Sequence, residues 1–315
     1  MLKRFSKGLE RRSRSNKSES ITMRVYYSPR QSVVQDYCFS PSSGKPALLV
    51  AQWKERWPDL LEFVEPQPVG AEEFSLAHDP EFVQDILACR KSNGFGNRSP
   101  EIAESLSWTS GSLVSATYHV LERGGAACSP TSGFHHAGFR HSNGFCTFNG
   151  LMVAAILAQK KGARVGILDC DYHYGDGTDN IIKALEIDYV EHLTTGILYC
   201  EAEEFLQKLP TWLSKVEVDV LLYQAGADAH LDDPLGGWMT TEQMRLRDRI
   251  VFEHCSTAGL PVVWNLAGGY QEDIQLVLDL HHATMEECLG VFGQNTKLAK
   301  NGPNSGCTSD AYPGS

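Results

Sequence analysis

The sequence predicts an α/β fold with a central, mostly parallel sheet, on three observations. The runs "RVGILDCD" (164–171), "VDVLLYQA" (218–225) and "PVVWNLA" (261–267) are short, aliphatic and continuous, as strands covered on both faces are. Helix-length stretches alternate with such runs along the chain. The polar clusters "DYHYGDG", "GADAHLDD" and "GGY" each follow a strand run directly, and "GFHHAGF" follows the short "AACSP". In an open α/β sheet, chemistry gathers beyond the C-terminal ends of the strands. All four clusters therefore belong at one sheet edge.

The elements follow in order. "MRVYYS", Met23 to Ser28, alternates in polarity and opens the fold as a strand. Helices are expected over Lys45–Trp57, Pro80–Cys89 and Pro100–Arg123. A strand follows at Ala126–Ser129 and a helix at Asn149–Lys161. Strands come next at Arg164–Cys170, Glu191–Tyr199 and Val218–Ala225. Helix Thr241–Ala258, strand Pro261–Leu266 and helix Glu272–Leu289 complete the series. The organisation is a basic, disordered extension at 1–22, one domain over 23–290, and a small, polar, Gly/Pro-rich tail at 291–315.

Composition bounds the reading. A chain of 315 residues with 42% hydrophobic content can build one substantial core. No run of about 18 apolar residues exists, so no membrane span is expected. Residues 1–22 carry seven Lys/Arg against two Glu, which is +5, so the net charge of −11 leaves −16 for the rest. An acidic body disfavours nucleic acid and suits cationic substrates. The nine Cys are scattered and form no C-x-x-C, which fits free thiols in a reducing, cytoplasmic setting. The basic segment lacks the apolar core of a secretory signal. Its Arg/Ser content would allow an organelle transit peptide, but it is read as an extension ahead of Met23.

The chemistry starts at "DCDYHYGDGT", 169–178. At a strand end, Asp169, Asp171 and His173 share one face, and acidic side chains there call for a cation. The bland alternative is a loop of turn-forming Asp and Gly. Asp228 follows a buried strand by two small residues and has no turn role, unlike Asp233, Pro234, Gly236 and Gly237 in "DPLGG". Asp171, His173 and Asp228 would leave a tetrahedral ion one open position, as catalytic zinc sites do. Two carboxylates make bound water less acidic, so a protein base should help. His135 and His136 could supply it, with the spare acids Asp169 and Asp176 holding one Nδ1 proton each. Tyr270, after Gly268 and Gly269, could reach in and stabilise an oxyanion. Alone, the His pair reads as surface and the Tyr as packed on its turn.

Together, "AHDPEFVQDIL" (77–87), "GFHHAGF" (133–139), "NGFCTFNG" (143–150), "ILDCDYHYGDGT" (167–178), "QAGADAHLDDPLGG" (224–237) and "AGGY" (267–270) resemble the zinc-dependent histone deacetylase family. That family includes acetylpolyamine amidohydrolases and acetoin-utilisation proteins. The resemblance runs from about Met23 to Leu289 and keeps the family's motif order. It implies an arginase/deacetylase-like three-layer fold with its active site at the C-terminal strand ends. It implies one Zn2+ per chain, on Asp171, His173 and Asp228. His136, paired to Asp176, would be general base and then acid, with His135, paired to Asp169, in electrostatic support. Tyr270 would bind the oxyanion, and Gly144 and Phe145 would line the acyl-lysine tunnel. A structural K+ at backbone carbonyls of Asp169, Asp171 and His173, with Thr194 or Thr195, is implied too.

The implied activity is hydrolysis of an acyl amide, chiefly acetyl, on a lysine side chain or similar amine, with release of acetate. The implied partners are acetylated lysine on protein or an acetylated polyamine, with no nucleic acid or membrane, and a homo-oligomer stays open. The rivals are an acetylpolyamine amidohydrolase, a non-catalytic acyl-lysine-binding or repressor-complex protein, and a binuclear manganese ureohydrolase on the D-x-H-x-D of 228–232. Departures are Gly133-Phe134 before the His pair and Tyr174 where a second His is common. Between Ile197 and Lys215 there is no clear second tunnel wall, and no substrate-gripping Asp is found. "SNGFGNRS", 92–99, is the expected rim loop.

Overall fold

The computed structural model describes residues 22–35, 38–197 and 201–293. One seven-stranded sheet organises them. In chain order its strands are β1 (Met23–Tyr26), β2 (Leu61–Val64), β3 (Ala126–Ser129), β4 (Val165–Asp169), β5 (Val190–Thr194), β6 (Val220–Gly226) and β7 (Val262–Ala267). In space the order is β2-β1-β3-β7-β6-β4-β5, and every pairing is parallel. Every residue of β4, β6 and β7 is buried, which is why their sequences run apolar without alternation.

Helices cover both faces. On one lie α1 (Lys45–Arg56), α7 (Ala202–Lys215), α8 (Thr241–Ala258) and α9 (Ile274–Phe292). Their apolar sides meet Leu168, Leu221, Tyr223, Val262 and Trp264 of the sheet. On the other lie α2 (Ala71–Ala77), α3 (Pro80–Leu87), α4 (Pro100–Arg123), α5 (Gly150–Gln159) and α6 (Asp176–Ala184), packed on Val165, Ile167, Val220, Leu222 and Val263. The result is three layers with two apolar seams. Successive strand residues feed opposite seams because side chains alternate across a sheet.

Helix starts are set by side-chain caps. Asp79 accepts from the N–H groups of Glu81 and Phe82 to open α3, and Ser99 accepts from Ile102 to open α4. Asn149 caps α5 through Met152, and Thr240 closes a capping box with Gln243 on α8. Each satisfies amide donors that the first helical turn leaves unpaired.

The structure departs from expectation in places. β2, α2, α6 and α7 were not anticipated. β2 is a short edge strand with one buried residue, so it shows no apolar run. α6 begins inside the Asp/Gly-rich motif, at Asp176, where composition reads as loop. α7 carries an internal Pro210, which argues against a helix by composition. β5 ends at Thr194 and passes into a 3-10 turn over Thr195–Ile197, short of the expected Tyr199. Residues 198–200, most of the basic extension and the tail from 294 lie outside the described residues.

Candidate active site

Four adjacent strands, β3, β7, β6 and β4, end at the same sheet edge, and the loop after each carries one polar cluster. Asp228, two residues beyond β6, is fully buried, and Asp171, two beyond β4, is nearly so. Nδ1 of His173 lies 3.1 Å from Asp171 Oδ1 and 3.0 Å from Asp228 Oδ2. Ligand atoms of these three residues fall within 4.8 Å of one another, and they are the one such group among the described residues. Asp169 does not join them. The i, i+2, i+4 face holds only to the end of β4, where the chain turns. The Asp169 carboxylate instead accepts from Gln224 Nε2 at 2.8 Å and from Asp171 N at 3.1 Å, and meets His135 Nδ1 at 2.8 Å.

The donor set fits a divalent cation. Burial, and then the neighbouring Asp171 charge, pushes Asp228 up to about 8, and its bonds to the two carboxylates push His173 up to about 10. Two carboxylates this well buried are costly to ionise together, and a divalent cation between them would offset that cost. His230 and Asp232, the remaining members of the D-x-H-x-D pattern, turn away. His230 Nδ1 accepts from Asp232 N at 3.2 Å, and its Nε2 bonds Thr241 Oγ1 at 3.0 Å.

The His pair forms two dyads. His136 Nδ1 sits 2.6 Å from Asp176 Oδ1, and the two His rings are 4.0 Å apart. Burial opposes charge on His135, but Asp169 and Asp171 outweigh it and push His135 up to about 9. His136 goes the other way, lowered by burial and by the charge on His135. Gly144 makes the fit possible: at φ +52 a Cβ there would lie 2.4 Å from His136 Cδ2.

Tyr270 is held rather than flexible. Its backbone N donates to Asp233 Oδ2 at 2.7 Å, so Asp233 does more than form its turn, where its Oδ1 accepts from Leu235 N. Gly268 and Gly269 have φ of +47° and +91°, and a Cβ on Gly268 would fall 2.2 Å from Asp228 Cγ. Close approach, not freedom, requires glycine there. Burial and the charges of Asp171 and Asp228 raise the Tyr270 phenol far above its ordinary value, so it stays a neutral donor.

Two residues join the site without a signal in the motifs. Lys45 of α1 is fully buried and donates to the Gly268 carbonyl. Burial pushes its ammonium down to about 8 against the pull of Asp228 and Asp171. Phe39 is 63% exposed and stacks on Tyr270, with ring centroids 6.0 Å apart and planes at 13°. Phe145 lies 5.8 Å from Tyr270 and 5.9 Å from Phe95, which puts the 92–99 loop beside the expected tunnel residue.

Residues 43–201 and 193–285 match the model of the histone deacetylase domain. The acetoin utilization protein AcuC of Bacillus subtilis is 28% identical over 271 residues, which cover 69% of this chain and 68% of that protein. Among solved structures, the HDA15 HD domain superposes with a TM-score of 0.69 at 20% identity, over 89% of this chain and 93% of that one. The acetylpolyamine aminohydrolase of Burkholderia pseudomallei gives 0.67 at 17% identity, over 86% and 99%. At such identities the two structures speak for the fold.

Proposed function

This chain belongs to the histone deacetylase family, and from that premise we propose that it is a zinc-dependent deacetylase that hydrolyses an acetyl amide on a lysine side chain or similar amine. The observation that carries the reading is the His136–Asp176 dyad beside the Asp171–His173–Asp228 group. These three would hold the zinc, which when bound would supply Lewis-acid polarisation of the acyl carbonyl.

The remaining steps belong to the chain. His136, its Nδ1 committed to Asp176, presents Nε2 as a base and is biased toward the neutral form. It removes a proton from the attacking water and later gives it to the leaving amine. His135, biased toward the cation by Asp169 and Asp171, adds positive charge beside the tetrahedral oxyanion. The Tyr270 hydroxyl donates to that oxyanion. Phe145 and Gly144 border the substrate's path. A structural K+ at the carbonyls of Asp169, Asp171 and His173 belongs to the same proposal, and Thr195 Oγ1 already bonds the Asp171 carbonyl at 2.7 Å. The seven described cysteines are all free, which supports a reducing, cytoplasmic setting.

The test is acetate release from acetyl-lysine peptides and from N-acetylated polyamines, with chelator and after zinc is restored. Turnover that chelator abolishes and zinc restores is the expected result, and the ratio between the substrates assigns the amine. No release from any acetylated amine in zinc-loaded protein would reverse the reading in favour of a non-catalytic acyl-lysine binder.

A further inference from the structure

We infer that Arg247 is a positioning residue for the metal group, a buried guanidinium that fixes the spacing between the two strand ends carrying Asp171 and Asp228. The inference rests on the metal reading proposed above. Arg247 lies on α8 and is fully buried. Its Nη1 donates to the Gly226 carbonyl at 3.0 Å and to the Cys170 carbonyl at 3.4 Å. Gly226 is the last residue of β6, two before Asp228. Cys170 is the first residue past β4, one before Asp171. The regular ladder between these strands runs to Asp169 and Gln224, with one more bond from Cys170 N to the Gln224 carbonyl. Arg247 spans the strands at the point where the ladder gives out.

The approach there is tight. A Cβ on Gly226 would lie 2.4 Å from the Cys170 carbonyl oxygen and 2.5 Å from Asp171 Cα. The two segments are therefore nearly in backbone contact, and the guanidinium bonds one carbonyl of each. A change in either bond shifts a carboxylate ligand through one or two residues of backbone. Nη1 alone reaches both carbonyls while Nε stays bonded to Asp248; a Lys ammonium has no second nitrogen with which to keep that anchor.

Arg247 is itself held. Its Nε donates to Asp248 Oδ1 at 2.8 Å, and Asp248 Oδ2 accepts from Thr284 Oγ1 of α9 at 2.6 Å. The Tyr223 hydroxyl of β6 also donates to Asp248. Stability alone is a weak reason for this arrangement. Buried ion pairs are often replaceable by apolar residues of similar size, and Nη2 of Arg247 has no hydrogen-bond partner. What an apolar side chain could not do is hold the two carbonyls.

The test uses cobalt as a spectroscopic stand-in for zinc. Wild-type protein, Arg247→Met and Arg247→Lys are stripped of metal, melted, and titrated with Co2+ while the d–d bands are recorded. The expected result is a cooperative melt for the metal-free variants, about 10–100-fold weaker cobalt binding for Arg247→Met with shifted bands, and a smaller loss for Arg247→Lys. Wild-type affinity and bands in a folded Arg247→Met overturn the inference. If that variant does not melt cooperatively, Arg247→Lys decides, and wild-type bands and affinity there overturn it equally. Failure of the wild type to bind cobalt removes the metal reading and this inference with it. Normal uptake by the wild type, unaltered in both variants, removes this inference alone.

Discussion

The rings of His135 and His136 lie 4.0 Å apart, yet their surroundings drive them to opposite charge states. His135 faces two carboxylates and is pushed up to about 9, while burial and that neighbouring charge lower His136. Adjacent residues are thus biased in opposite directions, His135 toward the cation and His136 toward the neutral imidazole. The acid limb of kcat/KM should fall below pH 6.5, the ordinary His value, because a lowered pKa keeps His136 unprotonated further into acid. Asp176→Asn removes a bond that raises the His136 pKa, so it should move the limb lower still. His136→Ala should cut kcat by about 10²–10⁴-fold. A limb at or above pH 6.5 in the zinc-loaded enzyme contradicts the assignment.

Tyr270→Phe keeps the ring contacts with Phe39 and Phe145 and removes only the hydroxyl. Loss of one oxyanion donor should lower kcat by roughly 10²–10³-fold with little change in KM. Steady-state kinetics on one acetylated peptide checks this, and retained full activity refutes the role.

Gly268→Ala should weaken metal binding by about 10–100-fold, because the new methyl would collide with Asp228 Cγ at 2.2 Å. Metal content after dialysis reads the effect directly. A variant that retains a full complement of zinc would show that the 268–270 turn can move aside.

His78, in the "AHDP" motif, predicts a pH effect on stability. It is buried, its Nδ1 bonds the Gly138 carbonyl at 2.9 Å, and its Nε2 accepts from Asn149 N at 2.9 Å. Burial pushes it down to about 4. The unfolded chain therefore takes up a proton between pH 6.5 and 4 that the folded protein refuses. Stability falls as the pH drops through that window and levels off below it, by roughly 3 kcal/mol from this group. Denaturant unfolding at pH 7.5 and 4.5 should show this loss, reduced by that amount in His78→Gln. Equal losses in both proteins would exclude His78 as the source.

Phe39→Ala should raise KM by about 2–10-fold and leave kcat within twofold, the scale of a single aromatic contact. An exposed ring stacked on Tyr270 is placed to meet the substrate's chain. Unchanged KM on both peptide and polyamine substrates would leave it outside the binding path.

Much of this was legible because buried parallel strands leave an unbroken apolar signature, and their site residues follow within a few positions. Asp171, His173, Asp228 and Tyr270 are all found that way. Residues that arrive from elsewhere carry no such mark. Lys45 looks like a solvated helix residue, and only the tertiary structure buries it against Gly268. Arg247 sits in "MRLRDRIV", which reads as a charged face. Phe39 is a loop aromatic whose partner, Tyr270, lies far along the chain. The motif "GDGT" hides the start of α6, because Asp and Gly favour turns while Asp also suits a helix's first turn.

The strand order has a consequence for biosynthesis. β7 is the last strand made, yet it sits between β3 and β6. Without residues 262–267, β2-β1-β3 and β6-β4-β5 share no backbone ladder. The His pair belongs to one half and the carboxylates to the other. The candidate site therefore comes together only when that final strand joins the two halves, as a keystone does.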